Sequence, residues 1–176
     1  MNITAGIYKG RKITAPDEKI TRPTLSKTRM GIFNSLFSLS GSFEGKSFLD
    51  VFGGSGIMGL EAISRGFGKV KVYEINKKSA EIIKKNYASL GLKPDITIGD
   101  SLKLLKKNDE LYDVVYIDPP YESGIYEDVL SSVKGNIIIV EHSTEKIDFT
   151  GFEILKQKKY GNSMITYLTG SNCKNS

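Results

Sequence analysis

From Ser47 onward the sequence alternates between short runs of strand formers and longer stretches of helical period, and this alternation limits the fold more than any other feature. Apolar and β-branched runs predict strands over residues 47–52, 69–74, 96–98, 113–117 and 136–140. Between them, apolar residues recur at helical spacing over 57–65, 77–90, 102–107 and 125–133. Each helix carries the chain back to where the next strand begins, so the strands run parallel and the helices cover both faces of one sheet. Two more strand-like stretches, 152–159 and 163–168, follow without a helix between them. They meet near Gly161-Asn162, which predicts an antiparallel hairpin closing the sheet edge.

The segment before this pattern is different in charge. Residues 1–30 hold seven cations and two anions, the whole net charge of +5, while residues 31–176 balance 18 cations against 18 anions. Such asymmetry fits a surface for a polyanion, or a solvated basic face. Lys9-Gly10-Arg11-Lys12 lies between alternating stretches at 3–8 and 13–15, so Lys9-Gly10 reads as a hairpin tip from which these cations project as a docking arm. Thr21-Arg22-Pro23-Thr24 reads as a turn into a helix, with Thr24 as N-cap and Leu25, Ile32, Phe33, Leu36 and Phe37 as its buried stripe. Arg22, Lys27 and Arg29 would flank that stripe.

A length of 176 residues suits one domain, and 39% apolar with 26% charged residues excludes disordered and fibrous classes. No apolar run reaches the roughly 18 residues of a membrane span, and no apolar block follows the basic start, so a cytoplasmic protein without membrane contact is expected. One cysteine and one histidine exclude an intrachain disulfide and a Cys/His zinc cluster. Chemistry must come from carboxylates, backbone or a bound cofactor, with no metal. Cys173 lies in a polar tail, 170–176, expected to be frayed, and Glu141 and His142 receive no role from the sequence.

The first strand runs into Gly53-Gly54-Ser55-Gly56-Ile57-Met58-Gly59 and then a helix. A glycine-rich turn there lets a ligand approach the backbone at the carboxyl end of a strand, and Gly54 to Gly59 fit the pattern of dinucleotide sites, which fits other nucleoside cofactors too. Glu74 closes the second strand where an acidic side chain meets ribose hydroxyls in such folds. Asp100-Ser101 closes the third, as a ligand contact or a plain helix cap.

Asp118-Pro119-Pro120-Tyr121 ends the fourth strand and is the sharpest signal in the chain. Each proline holds its predecessor extended and removes an N–H, so Asp118 and the following carbonyls form a stiff wall of acceptors. A carboxylate beside a carbonyl accepts both hydrogens of an exocyclic amine, and Tyr121 can stack on the ring that bears it.

Asp50-Val-Phe-Gly-Gly-Ser-Gly56 followed by Asp118-Pro-Pro-Tyr121 resembles the class I S-adenosylmethionine-dependent methyltransferases that modify base amino groups. Lys9-Gly10-Arg11-Lys12, Arg22-Pro23-Thr24, Arg29 with Phe33-Asn34, and Gly59-Leu-Glu-Ala-Ile-Ser-Arg-Gly66 resemble the bacterial RsmD family, over about residues 2–169. Gly54 departs mildly from the small residue, such as Ala, expected there. The resemblance implies a Rossmann-like methyltransferase domain over 41–169 behind a basic hairpin and helix extension over 1–40. It implies methylation of guanine N2 in small-subunit (16S) ribosomal RNA, with ribosomal RNA or the small subunit as partner. Gly53, Ser55 and Gly56 would line the methionine part of S-adenosyl-L-methionine, and Asp50 would order the loop or meet the methionine amine. Glu74 would hold the ribose, Asp100 and Ser101 the adenine end, and Lys9, Arg11, Lys12, Arg22 and Arg29 the RNA. Asp118, Pro119 and Tyr121 would be catalytic. Asp-Pro-Pro-Tyr is shared with adenine-N6 enzymes, so an adenine-N6 methyltransferase acting on DNA or another RNA stays open. So do a non-catalytic RNA-binding module and a nicotinamide-dependent oxidoreductase.

Overall fold

The computed structural model describes residues 1–15, 25–120, 124–143 and 147–170. Its centre is a seven-stranded sheet made of β1 (Ser47–Asp50), β2 (Lys69–Glu74), β3 (Asp95–Ile98), β4 (Tyr112–Ile117), β5 (Gly135–His142), β6 (Ile154–Tyr160) and β7 (Ser163–Thr169). The strand order is β3-β2-β1-β4-β5-β7-β6. The first five strands are mutually parallel, and β7 pairs antiparallel with both β5 and β6. The expected closing hairpin is present, but it is inserted the other way round from a simple continuation. The last strand lies inside and β6 forms the edge, because Ile165, Tyr167 and Leu168 of β7 are fully buried whereas β6 carries Lys156, Lys158 and Lys159.

Among the described residues, α1 (Ser26–Ser40), α2 (Ile57–Ser64) and α3 (Lys77–Ala88) lie on one face, and α4 (Ser101–Lys107) and α5 (Tyr126–Ser132) on the other. Alternation along the strands feeds both layers: Phe48, Val114, Tyr116 and Ile139 join the first core, while Leu49, Val51, Val115, Ile117 and Ile138 join the second. A sheet buried on both sides explains why its central strands carry unbroken apolar runs, Val114 to Ile117 in β4 and Ile137 to Val140 in β5.

The amino-terminal segment departs from the expected projecting arm. Among the described residues of this segment a single bridge forms, between Asn2 and Lys12, with Ile3 N–H donating to Arg11 O and Gly10 N–H to Ile3 O. Between them the chain turns twice, at Gly6 (φ 81°) and Gly10 (φ 83°). It docks on the end of α2: Ile7 N–H donates to Ser64 O, Tyr8 N–H to Ser64 Oγ, and Ser64 Oγ to Ala5 O. A Cβ on Gly6 would collide with the Ser64 carbonyl, so the left-handed turn and the close approach both demand glycine. The cations therefore ride on a segment fastened to the body, with Ile3 and Ile13 in the core.

Helix α1 also differs from its expected stripe. Leu25 is 69% and Phe37 54% exposed, because the inward face is Thr28, Arg29, Ile32, Phe33, Ser35 and Leu36. Leu25 occupies the N-cap position and makes no side-chain cap bond; the expected cap Thr24, the Arg22 turn and residues 171–176 of the tail lie outside the described residues.

Arg29, expected at the RNA surface, is 1% exposed and is a correction to that reading. Its Nε meets Glu61 Oε1 at 3.3 Å, and its Nη2 donates to Asn2 O at 2.6 Å and Ser26 Oγ at 3.2 Å. Glu61 is fully buried and also accepts from Thr4 N–H (2.8 Å), Thr4 Oγ1 (2.9 Å) and Arg65 Nε (3.2 Å). Glu61→Ala leaves the buried Arg29 guanidinium without its counter-charge and the Thr4 N–H without its acceptor, and is expected to cost about 3–5 kcal/mol in chemical denaturation, the range for breaking one half of a buried ion pair.

Candidate active site

The site is built where β1 and β4 separate from their helices. Val51 N–H still donates to Tyr116 O and Gly53 N–H to Tyr73 O, so the glycine turn begins with its backbone held to both neighbouring strands. Gly53 has no room for a Cβ because Val72 Cγ1 occupies that space; its role is close packing. Gly54 (φ 56°) and Gly56 (φ 77°) adopt the left-handed conformation that reverses the chain into α2.

Two carboxylates stand around this turn. Glu74, at the end of β2, is buried; its Oε2 accepts from Gly54 N–H and its Oε1 from Asn76 N–H, each at 2.7 Å. Each oxygen has taken one N–H and keeps a lone pair for a ligand hydroxyl. Asp50, at the end of β1, is 1% exposed, and its Oδ1 has no hydrogen-bond partner. Burial pushes its pKa up to about 7, against the lowering effect of the Phe52 backbone N–H, with a smaller upward push from the Glu74 charge. An orphaned buried carboxylate oxygen beside a glycine turn is suited to a cationic amine.

At the start of α4, Asp100 is an exposed N-cap, its Oδ1 accepting from Lys103 N–H at 2.9 Å. Ser101 is buried and its Oγ donates to Val51 O at 2.6 Å, fastening this helix to the end of β1. Ser55 turns away from the strand ends: its Oγ accepts from Ile57 N–H and donates to the Met1 sulfur. The Ser55 carbonyl accepts from Asn86 Nδ2, and the same carboxamide both accepts from Thr14 N–H and donates to Thr14 O.

Asp118 and Pro119 directly follow β4, which pairs with β1 on one side and β5 on the other. Asp118 is half-buried, Pro119 buried and Pro120 exposed. Asp50, the glycine turn, Glu74, Ser101, Asp118 and Pro119 therefore gather at the carboxyl ends of the central strands, where open α/β sheets bind ligands. Tyr121 lies outside the described residues. Lys9, Arg11 and Lys12 are exposed on the docked amino-terminal segment, Arg11 donating to Ser89 O at the end of α3.

Sequence reading passed over Glu61 and Asn86, although a single carboxylate inside the apolar run Ile57 to Ile63 is a visible sign of a buried ion pair. Among the described residues there is no group of three or more His, Cys, Asp or Glu side chains arranged to hold a metal ion, and no helix long and apolar enough to cross a membrane.

A family described as "Conserved hypothetical protein 95" matches residues 1–169. Ribosomal RNA small subunit methyltransferase D from Buchnera aphidicola is 32% identical, over 94% of this chain and 91% of that protein. The protein of the same name from Haemophilus influenzae is also 32% identical, over 92% of this chain and 89% of its own length. The chain belongs to this methyltransferase family. Its fold is shared with solved structures titled "Putative methyltransferase yhhF" from Escherichia coli (TM-score 0.83, 24% identity, 97% of each chain) and "putative methylase" from Haemophilus influenzae (TM-score 0.76, 29% identity, 96% and 97% of the chains).

Because Asp50 stays neutral in the folded protein to about pH 7 but ionises near 3.8 when unfolded, its burial costs stability increasingly as pH rises through that window. The stability advantage of Asp50→Asn over the parent, measured by thermal unfolding without ligand, is expected to grow across that window and level off above it.

Proposed function

We propose that this protein transfers a methyl group from S-adenosyl-L-methionine to the exocyclic N2 amine of a guanine in small-subunit (16S) ribosomal RNA. The observation that carries the proposal is the Asp118-Pro119 wall at the end of β4, beside the strand that opens into the glycine turn. The residues around that turn fit the cofactor. The orphaned Asp50 Oδ1 suits its ammonium group, the spare lone pairs of Glu74 suit ribose hydroxyls, and the second Asp100 oxygen suits the adenine amine. Gly53, Ser55, Gly56 and Ser101 contribute chiefly backbone shape: close packing at Gly53, a reversal at Gly56, and anchors at Ser55 and Ser101. When bound, the cofactor supplies an electrophilic methyl group and the protein supplies alignment and electrostatics.

The guanine amine is a poor nucleophile because its lone pair is delocalised into the ring. Asp118 and the Pro119 carbonyl accept its two hydrogens and draw the nitrogen toward tetrahedral geometry, turning the lone pair outward. Tyr121, by family resemblance, holds the ring flat. The reading divides the chain into a basic extension (1–40) that meets RNA through Lys9, Arg11, Lys12 and Arg22, a methyltransferase domain (41–169) and a tail (170–176). It puts the protein in the cytoplasm with its ribosomal substrate.

The test is transfer of labelled methyl to small subunits lacking the modification, with protein-free ribosomal RNA and duplex DNA in parallel, followed by nucleoside analysis. N2-methylguanosine is the expected product, and label appearing only as N6-methyladenine would overturn the substrate. Asp118→Ala should leave cofactor affinity within a few-fold while lowering transfer at least about 10²-fold, the scale of losing a positioning group. Replacing Arg11 and Lys12 with Gln should weaken RNA binding and reduce the slope of log K against log salt by about 1.4–1.8, since each lost phosphate contact removes about 0.7–0.9. An unchanged slope would return these cations to a solvated face.

A further inference from the structure

Glu141 is a buried carboxylate that the transfer step described above leaves unused. The last register pair between β4 and β5 is Ile117 with Val140, so Asp118 and Glu141 are the next residues on the two parallel strands, side by side at the ligand end. By alternation both fall on the face of Tyr116 and Ile139, the pair two residues earlier. Glu141 is 5% exposed in a strand whose preceding residues are Ile137, Ile138, Ile139 and Val140. An apolar residue there would avoid the desolvation penalty that a buried carboxylate carries.

The carboxylate is also fixed in place. Tyr116 donates its hydroxyl to Oε2 at 2.6 Å, and Tyr126, from the first turn of α5, donates to the Glu141 carbonyl at 3.2 Å. The neighbouring His142 is spent elsewhere, its ring nitrogens meeting Ser143 O and Thr166 Oγ1.

Guanine presents two adjacent donors on its Watson–Crick edge, the ring N1–H and the exocyclic amine. Adenine presents a bare acceptor at N1. A base whose amine is held by Asp118 would turn its N1 position toward a neighbouring strand. We infer that Glu141 is the specificity-determining residue that selects guanine, accepting its N1–H while Asp118 and Pro119 take the amine, with Tyr116 holding the carboxylate at the required angle. This rests on the guanine-N2 reading above and deepens it: the acceptor wall of Asp118 and Pro119 holds any aromatic amine, and the acceptor on the next strand chooses the ring. Against adenine the same carboxylate sets a lone pair against a lone pair.

The test uses small subunits reconstituted with guanine or 2-aminopurine at the acceptor nucleotide. 2-Aminopurine keeps the 2-amine but has a bare N1. The readout is the ratio of kcat/KM for the two, in the parent and in Glu141→Gln, with cofactor affinity measured alongside. The parent is expected to favour guanine by about 10²-fold, the scale of a charge-assisted hydrogen bond set against an unpaired buried group. In Glu141→Gln the carboxamide can donate to a bare N1, so the ratio should collapse to within a few-fold of unity while cofactor affinity holds. Equal loss on both substrates, or an unchanged ratio, would overturn the inference and leave Glu141 a structural group. A parent enzyme that uses both bases equally would overturn it with no variant needed, so the test stands even if Glu141→Gln fails to fold. If the parent makes no N2-methylguanosine on guanine subunits, the functional reading falls and this inference with it; the other outcomes leave that reading intact.

Discussion

The carboxylate of Glu61 holds together parts of the chain that would otherwise have little reason to meet. It is fully buried, and it gathers Arg29 from α1, Arg65 from its own helix end, and both the backbone and hydroxyl of Thr4 from the amino-terminal segment. A buried ion pair of this kind gains little net stability over an apolar packing, yet breaking it is costly. Its effect is on geometry: it fixes where the basic amino-terminal segment lies relative to the helix that leaves the glycine turn. Asn86 repeats the arrangement a short distance away, with one carboxamide serving both Thr14 and the Ser55 carbonyl. The basic amino-terminal segment and the glycine turn are thus parts of one braced unit.

Inside the site, polar groups follow a different logic. Glu74 is satisfied by backbone N–H groups, while Asp50 has an oxygen left without a partner and a raised pKa. The protein carries that electrostatic cost when empty, and a ligand cation can relieve it. Tyr87, 1% exposed, has its hydroxyl buried without a protein partner near the same glycine turn, and in so low a dielectric such a cost is larger than at the surface.

The sheet and its order of elements were legible in the sequence because periodicity reports burial directly. Segment 69–74 has the same limits in sequence and structure, and 113–117 and 136–140 are each extended by one to three residues in the fold. The β1–β4 adjacency is the point where strand order reverses, the place at which open sheets bind ligands. The amino-terminal segment was not legible in the same way. A hairpin was expected from Lys9-Gly10, yet Gly6 is the residue whose close contact with Ser64 fastens the segment to α2, and no local pattern announces a partner so far along the chain. Arg29 misled for a related reason. A cation next to an apolar stripe reads as exposed, and only the buried Glu61 on another helix turns it inward. Phe37 shows the converse, an apolar residue one position beyond the buried face of α1.

The inserted position of β7 has a consequence for how the chain is made. Strand β6 leaves the ribosome before its sheet neighbour β7 exists, and the open side of β5 carries Ile137, Ile138, Ile139 and Val140 with their backbone groups still waiting for β7. Until residues 163–169 emerge, the nascent protein presents an apolar strand edge of the sort that recruits other chains. Premature termination just before β7 would therefore yield a product prone to aggregate, even though nearly all of the ligand-facing residues had already been synthesised.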